Sequence, residues 1–233
     1  QAVMTSMNGN MEMWCWEYIV ELANILERDI WINLHLCQSD NYVTNLAQFL
    51  MDNLDPDINI YVENSNELWG NYNSHGAYCD AEATDLGIGF DYNHGRRTCE
   101  LTTLFESVWG SAAINSRIRV VLGCQAGNEW KQWMILPWIN TNIGAPKDYL
   151  WATSISHYLG SDNAAGSVSQ ILAGMYTNID DDLDLLDDGS RVNQLDYVTN
   201  TWQLPGGLNS YEGGNHLPAG GDLSNLDNQI LAC

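Results

Sequence analysis

Two glutamates stand at the ends of apolar runs. Glu67 closes Ile58-Asn59-Ile60-Tyr61-Val62-Glu63-Asn64-Ser65-Asn66-Glu67-Leu68-Trp69, and Glu212 closes Leu208-Asn209-Ser210-Tyr211-Glu212-Gly213-Gly214. Each run reads as a strand that delivers a carboxyl group at its C-terminal end. Two carboxyl groups facing one another across a bond are what hydrolysis of a glycosidic link requires. A parallel α/β barrel supplies such pairs from the C-terminal ends of different strands. A plainer reading stands beside each. Ser65-Asn66-Glu67 also fits a helix start, where Glu in the first turn is favoured by the dipole. Glu212 ahead of Gly213-Gly214 also fits a turn residue.

The elements that must position these residues alternate along the chain. Tyr18, Ile19, Leu22, Ile25 and Leu26 have helical spacing and predict a helix over 14–27. A buried strand follows over 30–36. A helix then starts at Ser39 or Asp40 and runs through Val43, Leu46, Ala47, Leu50 and Met51 to the turn Asp55-Pro56-Asp57. After the strand 58–63, a mostly helical excursion over 69–114 is broken at Gly87-Ile88-Gly89. Further strands are predicted near 117–123, 149–156 and 207–212, with helices near 129–139, 167–186 and 190–202 between them. Strand–helix alternation is the signature of a parallel sheet with crossover helices. The fold class expected is α/β, a single domain over 1–233 built as a partial (β/α)8 TIM barrel. A closed barrel of this kind has eight strands, and this sequence supplies strands three to seven. Gln1–Met13 is too short and irregular to add two strands, and the tail beyond Gly220 holds one short apolar run. The domain is therefore expected to be incomplete at both ends, with further polypeptide covering its outer strands.

Composition narrows the partners. Thirty Asp and Glu stand against eight Lys and Arg, a formal net charge of −22. That balance argues against nucleic acid and against an anionic membrane surface as partners. It suits a neutral ligand and a secreted, extracellular setting. Ten Trp and eleven Tyr against three Phe offer flat apolar faces with a polar edge, as sugar stacking uses and as core packing also uses. No segment is long enough to span a membrane. No basic, apolar leader opens the chain, so any signal peptide has been removed or lies upstream. Six cysteines, Cys15, Cys37, Cys79, Cys99, Cys124 and Cys233, are even in number and lack zinc spacing. An oxidising compartment with at least two disulfides is expected, Cys79–Cys99 foremost because both lie in one helical excursion. Reduced core thiols are the alternative. No metal or cofactor is expected. The acidic run Asp180-Asp181-Asp182, Asp184, Asp187-Asp188 reads as solvated surface, with a cation site as the alternative.

The order Ser65-Asn66-Glu67-Leu68-Trp69, then Tyr211-Glu212-Gly213-Gly214, resembles the retaining glycoside hydrolases of the (β/α)8 superfamily called clan A. With Tyr18-Ile19-Val20-Glu21-Leu22-Ala23-Asn24, Trp31-Ile32-Asn33-Leu34-His35 and Asn215-His216-Leu217, the chain looks like a group of cellulase-like, carbohydrate-binding secreted proteins. The resemblance covers most of the chain, the central part by element order. It implies Glu67 as general acid/base, Glu212 as nucleophile, and Asn66 reaching the sugar 2-hydroxyl. His157 and Tyr158 end a strand where related enzymes place a His or Tyr beside the nucleophile. His35 ends the strand 30–36 and points toward the same end of the sheet. Trp69, Gln125 and Trp130 are candidates for lining a cleft, and His216 is a further candidate. The ligand implied is a β-linked polysaccharide or oligosaccharide. A non-catalytic carbohydrate-binding or structural component of an extracellular assembly is the competing reading.

Overall fold

The computed structural model describes residues 6–7, 11–12, 15–68, 70, 73–125, 130–159, 166–187 and 194–215, with 6–7, 11–12, 157–159, 178–187 and 214–215 described by backbone alone. Five strands form one all-parallel sheet in chain order: β3 (Ile30–Leu34), β4 (Ile60–Asn64), β5 (Ile118–Cys124), β6 (Ala152–Leu159) and β7 (Gly207–Asn215). The expected strands and their neighbours are thus present, within a few residues of the predicted bounds. A separate antiparallel pair, β1 (Ser6–Met7) with β2 (Met11–Glu12), precedes them and does not join that sheet. The sequence pattern gave no sign of this pair.

Alternation within the strands sets two faces. Ile30, Ile32 and Leu34 of β3, Ile60 and Val62 of β4, and Ile118, Val120 and Leu122 of β5 are buried in one core. They pack against helices that return the chain between strands. Helix α2 (Asp40–Asn53) presents Val43, Leu46, Ala47 and Leu50, the i, i+3, i+4, i+7 stripe of an amphipathic helix. Burying its three larger side chains contributes about 1.5–3 kcal/mol each. Ser39 caps it, its hydroxyl accepting from the Tyr42 amide at 3.2 Å, and Arg97 of α4 (Phe90–Trp109) ties its first residue, Asp40, at 2.7 Å. Helix α1 (Trp16–Leu26) adds Val20 and Ala23, α4 adds Cys99, Leu101 and Phe105, and α5 (Trp130–Asn142) adds Ile135, Leu136 and Ile139. Helix α3 (Ser74–Leu86) is capped by Asn73 and closed by Gly87 at φ 68°. The short α6 (Pro146–Tyr149) and α7 (Val168–Asp187) flank β6, and a five-residue π-helix, Tyr197–Thr201, stands where the pattern predicted an ordinary helix.

The opposite face of the sheet is polar. Trp31 and Asn33 of β3 pair in register with Tyr61 and Glu63 of β4, and Arg119 and Val121 of β5 continue the two rows. Trp31 stacks on Tyr61 with ring centroids 5.4 Å apart, and the Arg119 guanidinium lies 5.1 Å from the rings of both Tyr61 and Trp151.

The expected disulfides are not formed. Cys15, Cys37, Cys79, Cys99 and Cys124 are all free thiols, so the Cys79–Cys99 pairing is corrected. The reason lies in packing. Cys79 is buried with Leu36 and Leu68 under the N-terminal part of α4, whereas Cys99 is buried in the main core on the sheet side. Cys233 lies outside the described residues.

Candidate active site

The polar face meets the C-terminal ends of the strands, and there Glu63 lies within electrostatic reach of both Glu67 and Glu212. Glu67 stands in a bend between β4 and α3. Ser65 has φ 61° and Glu67 φ 53°, a left-handed conformation costing a non-glycine residue roughly 1–2 kcal/mol. Anchors on both sides hold the bend. The Ser65 amide donates to the Leu34 carbonyl at 2.6 Å, its hydroxyl accepts from the Leu36 amide at 2.9 Å, and its carbonyl accepts from Asn33 at 2.8 Å. Beyond Glu67, Leu68 is buried against Leu36 and Cys79. Helix α3 begins only at Ser74, so the helix-start reading of Ser65-Asn66-Glu67 is not what the chain does.

Glu212 reaches the same face through an irregularity. Ser154 pairs with Asn209 and Ile155 with Ser210, but Ser156 pairs with Glu212, so the ladder skips Tyr211. Without that shift, strict alternation would turn Glu212 toward the helices. With it, Glu212 joins the side of the sheet that bears Glu63. Glu212 is therefore a strand residue and not part of a turn.

Glu63 is the residue that binds the arrangement together, and the sequence reading passed over it. Its side chain is 1% exposed. Trp31 Nε1 donates to Oε2 at 2.9 Å, and Asn33 Nδ2 donates to the same oxygen at 2.8 Å. Burial pushes the carboxyl up from its ordinary value of 4.5 to about 7; the Trp31 and Asn33 donors oppose that, and Glu212 and Glu67 add to it by charge. Burial likewise raises Tyr211, beside Ser156, with Glu63, Glu67 and Glu212 all adding to the effect. Two residues therefore feel both predicted carboxylates at once, and Glu67 and Glu212 share one neighbourhood. The signal for Glu63 was present in Ile60-Tyr61-Val62-Glu63, where period-two alternation puts a charge on the face away from the core.

No protein-family model matches this chain, and neither a curated protein nor a solved structure matches it. The residues themselves therefore carry the functional argument.

The remaining candidates divide. His35 follows β3, as expected at this end of the sheet, and its Nδ1 lies 3.0 Å from the Cys37 thiol. Its ring meets His75 edge-on at 5.5 Å. Burial lowers the pKa of both imidazoles, and the backbone of Asn66 lies within hydrogen-bonding reach of His75. His75, in the first turn of α3, was not singled out in the sequence because the helix start was placed too early. Asn66 is exposed beside Glu67, and Gln125 is half-buried just after β5. Trp130 opens α5 with 61% of its surface exposed. The backbone of His157 and Tyr158 lies in β6, paired with Gly213 and Gly214; their side chains, and Trp69 and His216 entirely, lie outside the described residues, as do the side chains of Asp180–Asp187 and all of Asp188. Among the described residues no group of three or more His, Cys, Asp or Glu is placed to hold a metal ion. No described helix is long and apolar enough to cross a membrane.

Proposed function

We propose that this chain is a secreted retaining glycoside hydrolase acting on β-linked polysaccharide, with Glu67 as acid/base and Glu212 as nucleophile. In this reading the five parallel strands correspond to strands three to seven of a (β/α)8 barrel of the clan A kind. The observation that carries it is that Glu67 and Glu212, far apart in sequence, both act by charge on Glu63 and on Tyr211. Glu67 would protonate the leaving oxygen while Glu212 attacks the anomeric carbon, and Glu67 would then take a proton from the water that hydrolyses the glycosyl ester. Asn66, next to Glu67 and exposed, is in place to meet a sugar hydroxyl. Among the described residues β3 and β7 each have one strand neighbour, which supports further polypeptide completing the barrel. The acidic balance supports a neutral polysaccharide over nucleic acid or a membrane as partner.

The test is turnover on a panel of β-glucans, mannans and xylans, with retention read by NMR of the first-formed anomer. Glu67→Gln and Glu212→Gln are each expected to abolish it. Wild-type chain inactive on every member, or activity that survives in Glu212→Gln, would overturn the proposal. Exposed Trp130 favours a second reading, a carbohydrate-binding component without catalysis. Binding to the same polysaccharides that is lost in Trp130→Ala, with no turnover, would select it.

A further inference from the structure

We propose that Glu63 is a positioning residue for the Glu67–Glu212 pair: a third, buried carboxyl, clamped by Trp31 and Asn33, that is coupled to both by charge and steadies the bend on which Glu67 stands. Its kinetic consequence rests on the hydrolase reading; its electrostatic consequence does not.

Three features of the structure argue for it. First, the clamp is specific. Two donors from β3 meet one oxygen of Glu63, and the other oxygen lies over Gly123 of β5, where an added Cβ would come within 2.6 Å of Oε1. Glycine inside a strand weakens it and marks a close approach; here the approach is that of the carboxyl group. Second, the clamp is connected to the bend. The Asn33 amide has two hydrogens, and one goes to Glu63 while the other goes to the Ser65 carbonyl, each at 2.8 Å. One side chain thus links the buried carboxyl to a strained segment that ends at Glu67. Third, the charges interact. Glu67 and Glu212 both disfavour ionisation of Glu63, which burial already holds near neutral pH. While it keeps its proton it adds no charge beside theirs. When a glycosyl ester neutralises Glu212, one of the two charges opposing Glu63 disappears, so its protonation is tied to progress around the cycle.

The other titratable and charged groups around Glu63 are few. From β3 only the neutral Trp31 and Asn33 face it. Arg119 of β5 is engaged with Tyr61, with Asp29 at 3.8 Å. Cys124, on the helix side of β5, feels Glu63 weakly behind burial and Lys131, and β7 contributes Tyr211 and Glu212.

The experiment is a glutamate side-chain 13C NMR titration of the full chain, with signals assigned through the Glu63→Gln, Glu67→Gln and Glu212→Gln variants. In wild type, Glu63 should titrate near neutral pH, well above the ordinary carboxylate range. Its midpoint should fall in both Glu67→Gln and Glu212→Gln, since each variant removes a charge that opposes its ionisation. In Asn33→Ala, which removes one donor, the midpoint of Glu63 should move up, and this variant decides the matter should Glu63→Gln fail to fold. A Glu63 midpoint in the ordinary carboxylate range, one unmoved in Glu67→Gln and Glu212→Gln, or one unmoved in Asn33→Ala, overturns the proposal. Kinetics add a separate reading. Asn33→Ala should lower kcat on the order of 10²-fold, the cost of a slightly misplaced acid, with KM nearly unchanged. Glu63→Gln should shift the pH–rate profile, which a purely structural role would not do. Turnover that depends on Glu67 but shows an unshifted profile in Glu63→Gln sinks the proposal and leaves the hydrolase standing. Coupled titrations in a chain without turnover do the reverse.

Discussion

Replacing Glu63 by Gln removes a buried titratable group while keeping shape and an acceptor for Trp31 and Asn33. The consequence for stability has a definite sign. The carboxyl holds its proton to about pH 7 in the folded chain, against an ordinary value of 4.5. Between those values the folded state binds more protons than the unfolded state, so stability falls as pH rises. Each pH unit across that interval costs about 1.4 kcal/mol, so the wild-type chain gives up about 3 kcal/mol in total by mildly alkaline pH. The Gln side chain does not titrate. Acidic groups remote from Glu63 affect both proteins alike and cancel in the difference. Glu63→Gln should therefore match wild type in stability near pH 4 and exceed it by about 3 kcal/mol near pH 8. Urea unfolding followed by Trp fluorescence measures this, since Trp31 itself contacts the carboxyl at 2.9 Å. The competing effect is known in size. A hydrogen bond to a charged group contributes about 1.5–3 kcal/mol. If the Trp31 and Asn33 donors outweighed burial, Glu63 would be ionised at neutral pH and Glu63→Gln would destabilise the chain at every pH above the ordinary carboxylate range. A pH-independent difference, or a less stable variant near pH 8, refutes the reasoning.

Other expectations follow from packing. Leu50, fully buried in α2, should cost about 2–5 kcal/mol when replaced by Ala, read as a lower urea midpoint at unchanged slope. Ser39→Ala removes the α2 cap and should cost about 1 kcal/mol by the same measurement. Gly123→Ala would place a Cβ 2.6 Å from Oε1 of Glu63 and should force that carboxyl to move, lowering stability by about 1–3 kcal/mol and disturbing the Trp31 fluorescence. The five described thiols are free, so thiol counting in denaturant without reductant should find at least five reactive cysteines per chain.

The fold was legible because its two signals are local. Strands such as Ile30-Trp31-Ile32-Asn33-Leu34 alternate, helices such as α2 repeat at three and four residues, and the order of the two kinds is preserved along the chain. What escaped was decided by tertiary contact. The cysteine count suggested disulfides, but counting says nothing about which cluster each thiol enters, and Cys79 and Cys99 enter different ones. The β1–β2 pair is two residues long on each side, too short for any periodicity to register.

The site was half legible, and the missing half has a physical logic. Carboxylates at strand ends can be found by looking for them, since chemistry that needs two of them restricts where they stand. The groups that hold them are ordinary residues in ordinary strands. Asn33 and Glu63 break no pattern; they sit where alternation allows a polar side chain. Their role exists only because β3 and β4 pair Asn33 with Glu63 and because Gly123 leaves the space. Glu212 faces the same way only because the β6–β7 ladder skips Tyr211. A bend holding two non-glycine residues at positive φ must be stabilised from outside itself. Part of that support, beside the Leu34 and Leu36 backbone, is the same Asn33 amide that clamps the buried carboxyl, so loosening the clamp also loosens the bend. That is why Asn33, which no catalytic motif would single out, is the position where a small change should reach the buried carboxyl and the geometry of the acid together.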